Sequence, residues 1–179
     1  MMEILDGLSE QFDVIRDVDG SFFGNSAVEE INGEMLQTLS RVYWMTGEEK
    51  YLNWAEKIAD YYLLEERNLL EMDHIRIRDH GCEIIGGLSE IYVTMNFARP
   101  EKKRLYEAPF HKILDRVLEV GRNVDGMFYD VVNPVTGEII KDRLVDNWGY
   151  VLDAYYAVYL LDGRDDYREA VLKVLNIVN

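Results

Sequence analysis

Apolar residues recur every three to four positions through most of this chain, and the periodic runs come in pairs parted by short polar turns. That period belongs to amphipathic α-helices. Glu3 to Arg16 puts Ile4, Leu8, Phe12 and Ile15 on one face, and a turn-rich stretch, Asp19-Gly20-Ser21-Phe22-Phe23-Gly24-Asn25, follows it. A first helical hairpin is predicted from Asn32 to Leu64. Its leading helix carries Leu36, Leu39, Ser40 and Tyr43 on one stripe, and its returning helix carries Leu52, Ala55, Ala59 and Tyr62. The turn between them is Thr46-Gly47-Glu48-Glu49-Lys50-Tyr51. The stretch from Glu65 to Arg78 has no clear period and reads as irregular.

A second hairpin is predicted from His80 to Gly121, with Ile84, Leu88, Ile91 and Met95 on its leading face. Gly86-Gly87 inside that helix costs about 1 kcal/mol per glycine relative to Ala, and would let a neighbour or ligand approach closely. Pro100 and Pro109 each suit a first helical turn. The main returning helix is placed from Pro109, with Phe110, Ile113, Leu114, Val117 and Leu118 inward. Residues 128–140 hold two β-prone runs around Asn133-Pro134-Val135-Thr136-Gly137, which predicts a small β-hairpin. A third helical hairpin is predicted from Val145 to Val178, turning at Asp162-Gly163-Arg164-Asp165-Asp166-Tyr167. Its leading helix carries Leu152, Tyr155, Tyr156 and Tyr159.

The fold class is therefore all-α: three consecutive helical hairpins plus a β-hairpin, in a single domain over residues 1–179. One hairpin cannot bury its own apolar face, so repeated hairpins must stack. The repeat extends to side chains. Asp19-Gly20-Ser21-Phe22-Phe23 matches Asp125-Gly126-Met127-Phe128-Tyr129, and in the first and third hairpins a Tyr follows the turn glycine by four residues. The last residues, Val171 to Asn179, keep an open amphipathic pattern, as in a fragment of a longer protein.

Composition narrows the function classes. The 179 residues carry a net charge of −15, which repels phosphate backbones and anionic membranes and argues against both as partners. No run approaches ~20 apolar residues, and the first residues, Met1-Met2-Glu3-Ile4-Leu5-Asp6, lack the basic and apolar regions of a leader. Cys82 is the only cysteine, read as buried and inert. These features fit a cytoplasmic protein, or one whose leader stood upstream of the fragment.

The hairpins resemble the (α/α) toroid of the six-hairpin glycosidase superfamily. The resemblance rests on the Asp-Gly-x-Phe-aromatic loops, the Gly-x-x-x-Tyr turns, and Asp146-Asn147-Trp148-Gly149-Tyr150 opening an aromatic helix. It implies inner helices lining a funnel, outer helices wrapping them, and a ligand site at the mouth built by the loops before the inner helices. Three hairpins make half of such a ring, which implies a missing second half or a homodimer. The nearest group is the unsaturated glucuronyl hydrolases, whose two Asp residues are matched by Asp79 and Asp146. Their chemistry, implied here by resemblance, is hydration of an unsaturated uronic acid by an Asp acid/base. Superfamily sugar epimerases imply a proton-shuttling role for His80.

The residues themselves leave two readings open for each candidate. Asp79 and Asp146 could act as general acid and base, or merely cap the helices they precede. His80 titrates near neutral pH, or is simply an exposed helix-start residue. Arg76, Arg78, Lys141 and Arg143 stand just before the two Asps and could bind a sugar carboxylate, Arg78 and Arg143 above all, or pair with local acids. Trp148, Tyr150 and Tyr129 could stack on a sugar or serve the core; Trp44 and Trp54 are read as packing. Asp79, His80 and Glu83 lack the spacing of a metal site, and no cofactor fingerprint is present. The expectation is a glycoside hydrolase-like protein acting on or binding an oligosaccharide, such as one bearing uronic acid. The alternative is a non-catalytic helical-repeat scaffold that binds a protein or a glycan.

Overall fold

A computed structural model describes residues 28–64, 67–145 and 148–178, and Gly7, the side chains of Val28 and Trp148 excepted. The helix expected over residues 3–16, the loop at 19–25 and the pair Asp146-Asn147 lie outside the described residues. Three helical hairpins follow one another: α1 (Val28–Thr46) with α2 (Glu49–Leu63), α3 (Cys82–Ala98) with α4 (Pro100–Val120), and α5 (Trp148–Asp162) with α6 (Asp165–Val178).

The first and third turns share one physical cause. Gly47 and Gly163 sit at φ of 71° and 70°, the left-handed conformation that ends a helix at little cost only in glycine. Their N–H groups close onto the carbonyls of Tyr43 (2.7 Å) and Tyr159 (2.9 Å). Four residues on, Tyr51 and Tyr167 are fully buried and anchor the returning helices. The middle turn has no glycine. Arg99 precedes Pro100, which disfavours helix at Arg99 and starts α4 at its own first position.

The expectation that the returning helix begins near Pro109 is corrected: α4 starts at Pro100 and runs straight through Pro109. A proline inside a helix costs roughly 3 kcal/mol. Tyr106, Phe110, Ile113, Leu114 and Val117 form one continuous buried face across it, and each such side chain contributes roughly 1.5–3 kcal/mol. The face outweighs the break.

The leading helices α1, α3 and α5 pack side by side, and each of α2, α4 and α6 packs on its own leader. The closest approach is between α1 and α3. A Cβ on Gly33 would lie 2.2 Å from the Glu83 carbonyl carbon, and one on Gly87 would lie 2.5 Å from the Gly33 carbonyl oxygen. The predicted stripes form the core, with Leu36, Leu52, Leu88, Phe110 and Tyr155 fully buried. One expectation fails at the edge of the layer. Trp44, read as packing, is 53% exposed; its ring meets Phe97, itself exposed, edge to face at 6.1 Å, and its indole Nε1–H donates to Thr94 Oγ1 at 3.0 Å. Trp54 does pack, edge-on to Tyr51 at 5.4 Å.

The expected β-hairpin exists as β2 (Tyr129–Val132) and β3 (Ile139–Leu144). Its loop is built on Asn133, whose Oδ1 accepts from the N–H groups of Val135 (2.8 Å) and Thr136 (2.9 Å). A strand not foreseen, β1 (Ile75–Arg76), completes an antiparallel sheet in the order β1-β2-β3, with Arg76 opposite Val131. Two residues are too few to leave a periodic signal. The chain is thus mostly helical with a small three-stranded sheet. Among the described residues, no helix is long and apolar enough to cross a membrane.

Candidate functional site

The sheet matters for where it holds the chain. The N–H of Ile77 donates to the carbonyl of Asp130 (2.8 Å), and that of Val145 donates to the carbonyl of Phe128 (3.0 Å). The segments entering α3 and α5 therefore both hang from β2 or the residues beside it. The start of α1 joins the same end: Glu30 Oε1 lies 2.7 Å from His80 Nδ1, and Glu29 Oε1 accepts from Arg67 Nη2 at 2.7 Å.

A cleft of ≈ 990 Å³ opens there. Its wall carries Arg67, Arg76, Lys141, His74 and His80, set against Glu29, Glu71 and Asp73. Arg67 and His74 are paired with Glu29 and Asp73.

His80 is the most constrained residue of the site. Its φ is 66°, a left-handed conformation that costs a non-glycine residue about 1–2 kcal/mol. Three contacts hold it. Its N–H donates to Glu83 Oε1 (3.3 Å), its Nδ1 meets Glu30, and its Nε2 lies 3.6 Å from Asp79 Oδ2. The hydrogen bond to Glu30, then the charges of Glu30 and Asp79, push the imidazole above its ordinary range. Strain of this kind clusters at functional sites.

Asp79 is 58% exposed and does not cap α3, since the cap position is Gly81. A Cβ on Gly81 would meet the Arg76 carbonyl oxygen at 2.5 Å, so the turn that presents Asp79 and His80 can fold only over a glycine. Arg76 and Arg78 converge instead on Asp130: Arg76 Nε and Arg78 Nη1 both lie 3.9 Å from its carboxylate. Lys141 lines the cleft, Arg143 is exposed on β3, and Tyr150 is exposed on α5. Tyr129 is half-buried against the core. Asp146 and the Trp148 side chain lie outside the described residues. No group of three or more His, Cys, Asp or Glu among the described residues is placed to hold a metal ion. Cys82 is buried.

Sequence reading missed Glu29, Glu30, Arg67 and Asp130. Glu29 and Glu30 precede the Asn32 start that the apolar period gave for the first hairpin, although Ser26-Ala27-Val28-Glu29 has the spacing of a capping box. Asp130 sits inside an apolar run, Val131-Val132 following it, and a charge in such a run was the one available clue. Its Oδ1 is buried without a hydrogen-bond partner, as are Asn32 Oδ1 and Glu83 Oε2.

No protein-family model, no curated protein and no solved structure matches this chain.

Proposed function

We infer that the chain is a carbohydrate-active, glycoside hydrolase-like piece of an (α/α) toroid, acting on an oligosaccharide that carries an acidic sugar. The observation that supports this most is that the loop before α3 and the segment before α5 hang from one strand, β2. A two-carboxylate mechanism needs its two loops to converge in this way. Asp79 and Asp146 are the acid/base pair, and His80, held by Glu30, relays a proton beside Asp79. Arg78 and Arg143 take the sugar carboxylate, with Trp148, Tyr150 and Tyr129 as the stacking candidates. A second copy or further hairpins would complete the ring.

The test is product release from a panel of oligosaccharides with and without a terminal uronic or unsaturated uronic acid. Asp79→Asn and Asp146→Asn each lower turnover by about 10²–10⁴-fold, with binding retained. Turnover unchanged in either variant removes that residue from the mechanism. A second reading, the non-catalytic scaffold, is favoured by the exposure of Asp79, since a carboxylate in open water is poorly shielded for proton transfer to a sugar. In that reading the wild type binds glycans and releases no product.

A further inference from the structure

The acids that line the cleft are each engaged by a neighbour. Glu29 accepts from Arg67 Nη2 at 2.7 Å, Asp73 lies 2.7 Å from His74 Nδ1, and Glu71 accepts from Asn68 Nδ2 at 2.8 Å. Two of the lining cations are held less closely. Asp130 comes no nearer to Arg76 than 3.9 Å, beyond hydrogen-bond length. The described residues form no hydrogen bond or ion pair with Lys141.

The sheet sets these two cations on one face. Arg76 stands opposite Val131, and Val131 opposite Lys141; opposed residues of antiparallel strands point to the same side. Strand spacing puts the Cα atoms of Arg76 and Lys141 roughly 10 Å apart, a gap that two long side chains can close over the buried Val131 between them. The pairing slips at this point. Val131 meets Lys141 while Val132 meets Ile139, so Ile140 is an extra, bulged residue. A regular strand would send Ile140 to the other face; the bulge brings it into the cleft beside Lys141, 46% exposed. Half-buried Met72 adds a second apolar surface from the segment before β1.

Among the described residues, no Trp, Tyr or Phe lines the cleft, so a sugar ring finds no platform there to stack on. Two cations beside aliphatic surface suit a single carboxylate with an apolar body. We propose that the cleft binds a small amphiphilic carboxylate, its oxygens between Arg76 and Lys141 and its chain along Ile140 and Met72. The site is separate from the glycan reading: Asp79 does not line it, and Arg78 and Arg143 take no part in it. At ≈ 990 Å³ the cleft has room for a medium-length chain. The bound acid lies beside His74 and His80, which both line the cleft.

Titration calorimetry and imidazole NMR on the full chain test this, with octanoate as the probe and acetate, 1-octanol and glucuronate as comparators. Octanoate binds about tenfold or more tightly than acetate or 1-octanol. It shifts the imidazole signals of His74 and His80 and leaves that of His111, the remaining histidine, unmoved. Arg76→Gln and Lys141→Gln each weaken octanoate about tenfold and leave 1-octanol unchanged. Ile140→Ser brings octanoate towards the affinity of acetate. Lys141 and Ile140 are exposed, so their variants keep the wild-type circular dichroism and melting curve.

Octanoate bound no more tightly than 1-octanol, or unaffected by Arg76→Gln and Lys141→Gln, overturns the carboxylate clamp. A shift of His111 with His74 and His80 unmoved places the ligand elsewhere and overturns the site. Glucuronate shifting His74 and His80 and binding above octanoate overturns the apolar body and gives the cleft to a sugar acid. No arm measures oligosaccharide turnover, so the glycoside hydrolase reading stands or falls by its own test.

Discussion

His80 combines three features that rarely coincide in a residue with no role: a left-handed backbone, an exposed ring and two acidic neighbours. Its backbone demands a residue that tolerates positive φ. Asn tolerates it and Val does not, so His80→Val destabilises by about 1–2 kcal/mol more than His80→Asn, which urea titration of both variants measures. Its ring gains a partner on folding, so its folded pKa lies above the unfolded value of about 6.5. That contribution is complete below the unfolded pKa and is lost as pH rises through the folded one. In an NMR titration the His80 midpoint lies above the ordinary histidine range and falls back in Glu30→Gln; a midpoint unmoved by Glu30→Gln would deny the pairing. The sequence exposed His80 as a candidate but not its constraint, because neither φ nor Glu30, fifty residues away, is written in local spacing.

At the scale of elements, the adjacent glycines of α3 have opposite meanings. Gly87 lies in the crossing with α1, where an added Cβ meets the Gly33 backbone; at Gly86 the nearest neighbour is the movable end of Gln37. Gly87→Ala therefore costs about 1–3 kcal/mol from overpacking, whereas Gly86→Ala gains up to about 1 kcal/mol from helix propensity. Thermal melting of the two variants shows shifts of opposite sign. Loss of stability in both would mean that Gly86, too, lies against something rigid. Glycine signals were read correctly where they end helices, at Gly47 and Gly163, and proline where it suits a first turn, at Pro100. The proline signal misled at Pro109, where a buried face carried the helix through.

The whole molecule is also held at the end away from the mouth, by a polar cluster between α3, α4 and α5. Asp162, 7% exposed, accepts from Tyr92 Oη (2.6 Å), from His111 Nε2 (2.8 Å) and from Lys103 Nζ. Arg164 Nη1, only a donor, faces His111 Nδ1 at 3.4 Å, so the neutral ring carries its proton on Nε2. Burial alone would raise the Asp162 carboxyl, but the hydrogen bonds from Lys103, Tyr92 and His111 outweigh it and hold the pKa below the usual range. A depressed carboxylate stabilises the fold above its unfolded pKa of about 4 and ceases to do so as pH falls through the folded value. Acid unfolding followed by far-ultraviolet circular dichroism is therefore shallower in Asp162→Asn than in wild type, and Lys103→Met, which leaves the carboxylate to Tyr92 and His111, costs about 1.5–3 kcal/mol at neutral pH. The sequence by itself determined the three hairpins, the glycine turns of the first and third, their buried stripes and the β-hairpin, because periodicity and turn chemistry act within a few residues. Only the tertiary structure decided that β1 joins the sheet, that the segments before α3 and α5 meet at β2, and that Glu30 reaches His80. It also decided which stripe of each leading helix stays open to solvent. The contacts of β1 with β2 and of Glu30 with His80 join residues fifty or more positions apart, and they form only when the hairpins stack to bury faces that no single hairpin can cover.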